Sequence, residues 1–336
     1  MVCKVRMSIL RPPMTIVYSV FFIVGSILAT LTNAIVLRIL SLPDCRSRSN
    51  KILISLAISD FLVGVIVFPM TAYQVLNYES LENCDVDFVR AFFSLMLQGS
   101  SCLTLAVISL DRYILMTKMK IYHRRSTKWL MVLLVLLSWV IPAVTPFLRF
   151  IGSVPYLGVV ITIFILPFIV LCSSYFLITS VVKKQEAALK RHFVDSLKMK
   201  LQQDEGGASS EGTKSASNPP AEDQTAHDNK RQQKSQKTHL KLAKQVTFLL
   251  LAYFCCITPL LLWLILNLAN ILNPFISAFN IQNLYVVAMI TVSWNSCINP
   301  IIYYVKNPEI RRGFRKMFGI KRVKNNDSTA TCSKTT

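Results

Sequence analysis

Apolar residues in this chain gather into seven long runs separated by polar stretches: 14–40, 52–76, 88–116, 129–150, 156–182, 242–268 and 283–305. Each reaches the roughly 20 residues that an α-helix, rising about 1.5 Å per residue, needs to cross a bilayer. Lipid offers no hydrogen bond to exposed backbone, so each run must satisfy its own N–H and C=O groups as a helix. The pattern predicts an all-α membrane protein built as a seven-transmembrane helix bundle. The third run ends on Ser109-Leu110-Asp111-Arg112-Tyr113-Ile114. Charges there are costly unless they reach the interface or a partner, which marks them for function. The plainer alternative is an arginine snorkelling to the interface beside a counter-ion.

The polar stretches set the orientation. The chain is 53% hydrophobic and only 16% charged, where a soluble protein carries nearer a quarter. Its formal net charge of +20 follows the membrane and gives no reason to invoke nucleic acid. One side holds Lys4, Arg6, Arg11, Arg90 and Arg149. The other holds Arg46, Arg48, Lys51, Lys118, Lys120, Arg124, Arg125 and Lys128, with a basic third loop and a basic tail. The positive-inside rule predicts a plasma-membrane protein with its N-terminus outside and its C-terminus in the cytoplasm. The basic residues before the first run pull weakly the other way. That run is too long for a cleaved signal sequence and reads as a signal anchor.

The same reading divides the chain into an outer N-terminus over 1–13, the seven-helix domain over 14–305, and a tail. Within the domain, 183–241 predicts a flexible cytoplasmic loop, rich in Gly and Ser around Gly206 and broken by Pro219-Pro220. Basic helical extensions are expected to flank it, over 183–201 and 230–244. After the last run, Ile310, Phe314 and Phe318 recur every four residues with Arg311, Arg312, Arg315 and Lys316 between them. This predicts a short amphipathic cytoplasmic helix over 308–318, lying on an anionic inner leaflet. The tail over 319–336 carries Ser328, Thr329, Thr331, Ser333, Thr335 and Thr336 as candidate kinase sites, and its Asn326-Asp327-Ser328 triplet is expected to stay unglycosylated.

Polar residues inside the runs carry the chemistry. Asn33 lies in the first. Asp60, in the second, is the only acid deep in any run, and it needs a proton, a cation or a ring of donors. Ser101 precedes Arg112 by about 16 Å of helix. Trp139 and Pro142 follow in the fourth run, Pro167 and Tyr175 in the fifth, Cys256 and Pro259 in the sixth, and Asn295, Asn299, Pro300 and Tyr303 in the seventh. Asn295 and Asn299, four apart, share a helix face.

This ordered set resembles the rhodopsin-like (class A) G-protein-coupled receptors over nearly the whole chain. The resemblance implies an activation switch and G-protein contact at Asp111, Arg112, Tyr113, Tyr175, Asn299, Pro300 and Tyr303. It implies a sodium ion with water at Asp60, Ser101, Asn295 and Asn299, or a water-filled polar cluster without the ion. It implies no other cofactor. Partners would be a heterotrimeric G protein, arrestin and receptor kinases through the tail, an extracellular ligand, and the bilayer itself. Where many relatives carry a second acid that holds Arg112 at rest, this chain has His239, so ligand-independent signalling is expected.

The departures bear on the ligand. The usual outer cysteine of the third run is replaced by Asp87, Cys84 lies three residues early, and the second outer loop, near 151–155, has no cysteine. This unbridged loop is similar to those of the melanocortin and lysolipid-cannabinoid branches. Cys3 and Cys84 are the candidates for an outer disulfide. Ser94 stands where amine receptors carry an aspartate, and a neutral hydroxyl cannot pair an ammonium, so a typical biogenic amine is not expected. The expected pocket lining is Asp87, Ser94, Leu95, Gln98, Ile257, Leu260, Leu261, Leu264, Met289 and Ser293. Ile257 replaces the tryptophan of the sixth-helix switch, leaving Tyr253 and Pro259 to carry the hinge.

Other classes fit less well. A transporter or channel would show an internal repeat or a polar path, whereas these polar groups converge on one cluster. An enzyme would need a dyad or metal pair, and His123, His192, His227 and His239 all fall in the cytoplasmic connections, with no metal-ligand pairing. An opsin would need a lysine in the seventh run, which has none. An orphan receptor signalling mainly without ligand stays open.

Overall fold

The computed structural model describes residues 12–43, 48–77, 84–117, 119–122, 124–206, 248, 251–271 and 278–319. Seven of its helices are long and apolar enough to cross a membrane, and they are labelled α1 to α7. Their spans are Met14–Leu40, Asn50–Leu76, Asp85–Leu115, Arg125–Phe150, Ser153–Val181, Leu251–Ile271 and Leu284–Val305. No strand occurs among the described residues. A shorter helix, α8, follows over Pro308–Met317.

Burial separates the spans. In the most apolar window of α3, 72% of residues are buried, against 28% in α1, α4 and α6. α3 is therefore the axis of the bundle, and its Gln98, Ser101 and Thr104 bond to other helices. The outer helices turn Phe21, Leu133, Val140, Ile169 and Ile265 outwards, as lipid requires. Leu56, Leu105, Ile108, Leu171, Tyr253 and Tyr303 fill the interior.

Hydrophobicity alone does not bring helices together in lipid, so close backbone approach and polar ties must. Both occur between α1 and α2. A Cβ added at Gly64 would lie 2.8 Å from the Thr30 backbone nitrogen, and one at Gly25 would clash with the Phe68 ring. Around Gly64, α2 widens into a π-helical turn over Val63–Val67, just ahead of Pro69. The Ser26 hydroxyl of α1 donates to the Gly64 carbonyl at 2.7 Å, within that turn. Trp139 of α4 donates to Ser55 of α2 at 2.9 Å, and Thr104 and Ser138 share a bond of 3.1 Å between α3 and α4.

The helix carrying α5 continues from Ser153 to Gly206, through the basic stretch after the membrane. The connection before it is shorter than the expected 151–155. A 3-10 turn over Thr145–Phe150 leads through Ile151 and Gly152 straight into the new helix. Pro167 sits inside α5, where it removes a backbone donor. Beside it, the Tyr253 hydroxyl of α6 donates to the Phe164 carbonyl at 2.7 Å. The expected loop beyond residue 206, the extension at 230–244, and the tail beyond residue 319 lie outside the described residues.

α8 has both end signals. The Asn307 side chain accepts from the Glu309 N–H at 2.9 Å, Pro308 occupies the first turn, and Gly319, with φ at 65°, ends the element. Gly313 lets α8 lie against Ile39 of α1. Asn50, at the start of α2, donates to Glu309 at 2.6 Å.

Candidate functional site

Asp60 is fully buried at the meeting of α2, α3 and α7. Its Oδ1 accepts from the Ser101 hydroxyl at 2.7 Å and the Ser296 hydroxyl at 2.8 Å. Its Oδ2 accepts from the Asn299 amide at 2.8 Å. Asn33 joins from α1, its Nδ2 donating to the Ser296 carbonyl at 3.0 Å and the Ala29 carbonyl at 2.9 Å. One acid thus gathers neutral donors from two other helices, and four helices meet around it. Asn295 is also buried, but the hydrogen bonds to the carboxylate come from Ser101, Ser296 and Asn299. Ser296 was not expected there. Residues 296, 299 and 303 are spaced three and four apart and share one face, just as 295 and 299 do, so spacing alone cannot separate the two sets.

The site has the chemistry of a hard-cation site. A carboxylate, serine hydroxyls and amide oxygens are oxygen ligands. The Asn33 Oδ1 is buried with no hydrogen-bond partner among the described residues, so it remains a free acceptor.

Towards one end of the bundle lie Asp111, Arg112 and Tyr113. Asp111 is buried, while Arg112 and Tyr113 are partly buried. The Arg112 Nε is enclosed without a hydrogen bond among the described residues. Tyr303, two turns below Ser296 on α7, is fully buried and its hydroxyl also lacks a partner there. Tyr175 of α5 is partly buried and packs edge-on to Phe176, with ring centroids 5.7 Å apart. Pro300 lies inside the last spanning helix. His239 is outside the described residues.

Of the expected pocket residues, Ser94, Leu95, Gln98, Ile257, Leu260, Leu264, Met289 and Ser293 are buried, and Leu261 is partly buried. Gln98 donates to Ser293 at 2.7 Å, tying α3 to α7. The Ser94 hydroxyl is enclosed without a bond among the described residues. Asp87 is joined by two arginines that the sequence marked only as outer charges. Arg90 bonds it at 2.9 Å and Arg149 approaches to 3.5 Å. Cys3, the expected partner of Cys84, lies outside the described residues.

A family model, 7 transmembrane receptor (rhodopsin family), matches residues 32–158 and 151–303. The chain belongs to that family of G-protein-coupled receptors; it is a multi-pass plasma-membrane receptor and not an enzyme. Among curated proteins it is similar to the mouse trace amine-associated receptor 8b, 25% identical over 94% of this chain and 90% of the relative. It is also similar to the mouse 5-hydroxytryptamine receptor 6, 28% identical over 48% of this chain and 42% of the relative. Among solved structures it resembles squid rhodopsin in fold, with a TM-score of 0.69 and 17% identity, over 92% of this chain and 87% of that one. These relatives differ from the melanocortin and lysolipid-cannabinoid branches that the unbridged loop resembles.

Proposed function

We propose that this receptor takes its ligand at the Arg90 end, which faces outside the cell with the N-terminus, and engages a heterotrimeric G protein at the Arg112 end. The single observation behind this reading is the Asp60 network, which joins α2, α3 and α7 at one buried acid. Movement of α7 relative to α3 must stretch or exchange those bonds. Asn299 and Tyr303 lie on the same helix and transmit the shift towards Arg112. Asp111, Arg112, Tyr113, Tyr175, Asn299, Pro300 and Tyr303 form the coupling face. The tail serves receptor kinases and arrestin.

Asp60, with Ser101, Ser296, Asn295 and Asn299 around it, holds a sodium ion in the resting form. The ion supplies the positive charge that a carboxylate in lipid otherwise lacks. Sodium in place of potassium should raise the melting temperature of wild type and leave Asp60→Asn unchanged. Equal melting in both salts for both proteins would reduce the site to a polar cluster.

The ligand is not a typical biogenic amine, although the similar receptors are named for amines, because Ser94 brings no charge to the pocket. Nucleotide exchange on purified G proteins tests the main reading. Wild type should accelerate exchange on one subtype, and Arg112→Ala should not. Exchange at the same rate with both proteins would refute it.

A further inference from the structure

We propose that the Arg90 end of the bundle binds the anionic group of the ligand, a carboxylate or phosphate on an apolar body, with Arg90 as anchor and Arg149 as a second clamp. This rests on the receptor reading above and names the ligand class for its outer site.

Arg90 is only 6% exposed. A guanidinium does not shed its proton in a protein, so this is a permanent charge removed from water. Such a charge is tolerated when it is paired and fully hydrogen-bonded. Arg90 Nη2 donates to Asp87 Oδ1 at 2.9 Å, but its Nε is enclosed with no partner among the described residues. Nor is Asp87 reserved for Arg90, because its Oδ2 lies 3.5 Å from Arg149 Nη2. Two cations share one carboxylate, so these three side chains carry one surplus positive charge. A second anion would meet both the surplus and the idle donor.

The surroundings select the rest of the ligand. Arg90 lies over the Tyr285 ring at 5.7 Å, and Arg149 lies over Tyr156 at 5.5 Å. Trp263 backs Tyr285, with centroids 4.7 Å apart. The Tyr285 hydroxyl also lies within hydrogen-bonding reach of the Arg90 guanidinium, whereas the Arg90 Nε stays without a partner among the described residues. Four residues deeper on the same face of α3 is Ser94, with its own idle buried hydroxyl. Next to it on α3, Leu95 is buried in one apolar cluster with Leu264. An anionic head at Arg90 therefore has a polar step at Ser94 and an apolar floor. An ammonium in the same place would meet charge of its own sign. A purely structural latch between Asp87 and Arg90 accounts for neither Arg149 nor the idle Nε.

The test is the melting temperature of the purified full-length receptor titrated with 4-phenylbutyrate, 4-phenylbutyl phosphate, 4-phenylbutylamine and 4-phenylbutanol. One or both anions should raise it saturably, and the comparison between them separates carboxylate from phosphate. The amine and alcohol should not. Arg90→Gln should abolish the anion effect. Arg149→Gln should weaken anion binding roughly tenfold, as expected for one lost charge-assisted contact. Asp87→Asn should tighten it, by removing the internal competitor. Those two variants decide the matter if Arg90→Gln fails to fold. The proposal is overturned if neither anion saturates by millimolar concentration, if the amine stabilises as well as the anions, or if Arg149→Gln and Asp87→Asn leave anion affinity unchanged. Melting needs no G protein, so this outcome is separate from any failure of the Arg112→Ala exchange test.

Discussion

Asp60 takes its hydrogen bonds from neutral groups, Ser101, Ser296 and Asn299, whereas Asp87 is held by guanidiniums, Arg90 and Arg149. The two carboxylates lie in one bundle and leave opposite electrical residues. Neutral donors organise the Asp60 carboxylate without cancelling a charge on it, so that site can accept a cation. Two arginines overcompensate Asp87, so that site can accept an anion. The first joins α2, α3 and α7 in the middle of the bundle. The second lies where α3 meets the α4–α5 connection, at the end opposite Arg112.

Breaking the Asp60 side should cost the most stability. Asp60→Ala strands three enclosed donors, and we expect a loss of about 2–4 kcal/mol, measured by melting in matched detergent. A loss below about 0.5 kcal/mol would mean that those donors readily find other partners. Gly64→Ala comes next. Its Cβ would lie 2.8 Å from backbone on α1, so we expect about 1–3 kcal/mol from overpacking. Tyr253→Phe removes one bond between α6 and α5 and should cost about 1 kcal/mol. It should also raise basal output, because that bond restrains α6 beside Pro167. Unchanged basal output would remove Tyr253 from the hinge. Arg149→Gln should have the smallest effect. Its ion pair is 3.5 Å long and its side chain 31% exposed, so stability should change by less than about 1 kcal/mol. A larger loss would make Arg149 part of the scaffold.

Most of the architecture was legible from apolar run lengths, because lipid forces each run into a helix. The amphipathic helix was equally plain from Ile310, Phe314 and Phe318. Asp60, Ser101, Asn295 and Asn299 were grouped by the resemblance to the receptor family, whose motif positions they match. Ser296 could not be told from Asn295, since helical spacing allows either face and only the rotation of α7 decides. The π-helical turn at Val63–Val67 was also hidden. Ser26 of α1 bonds to a carbonyl within it, a contact between helices that no local pattern encodes. Arg90 and Arg149 were visible as charges, but they are 59 positions apart in the sequence, and only the folded bundle places both on Asp87. The branch likeness drawn from the short second loop rested on a missing cysteine, and the similar curated receptors, a trace amine-associated receptor and a 5-hydroxytryptamine receptor, leave the branch open.

The most direct test of the account is second-messenger output in cells expressing wild type beside Arg112→Ala, without ligand, with G-protein subtypes supplied in turn and surface expression matched. The account predicts a basal signal through one subtype that the mutant loses. Equal output from both proteins, whether high or nil, would contradict it.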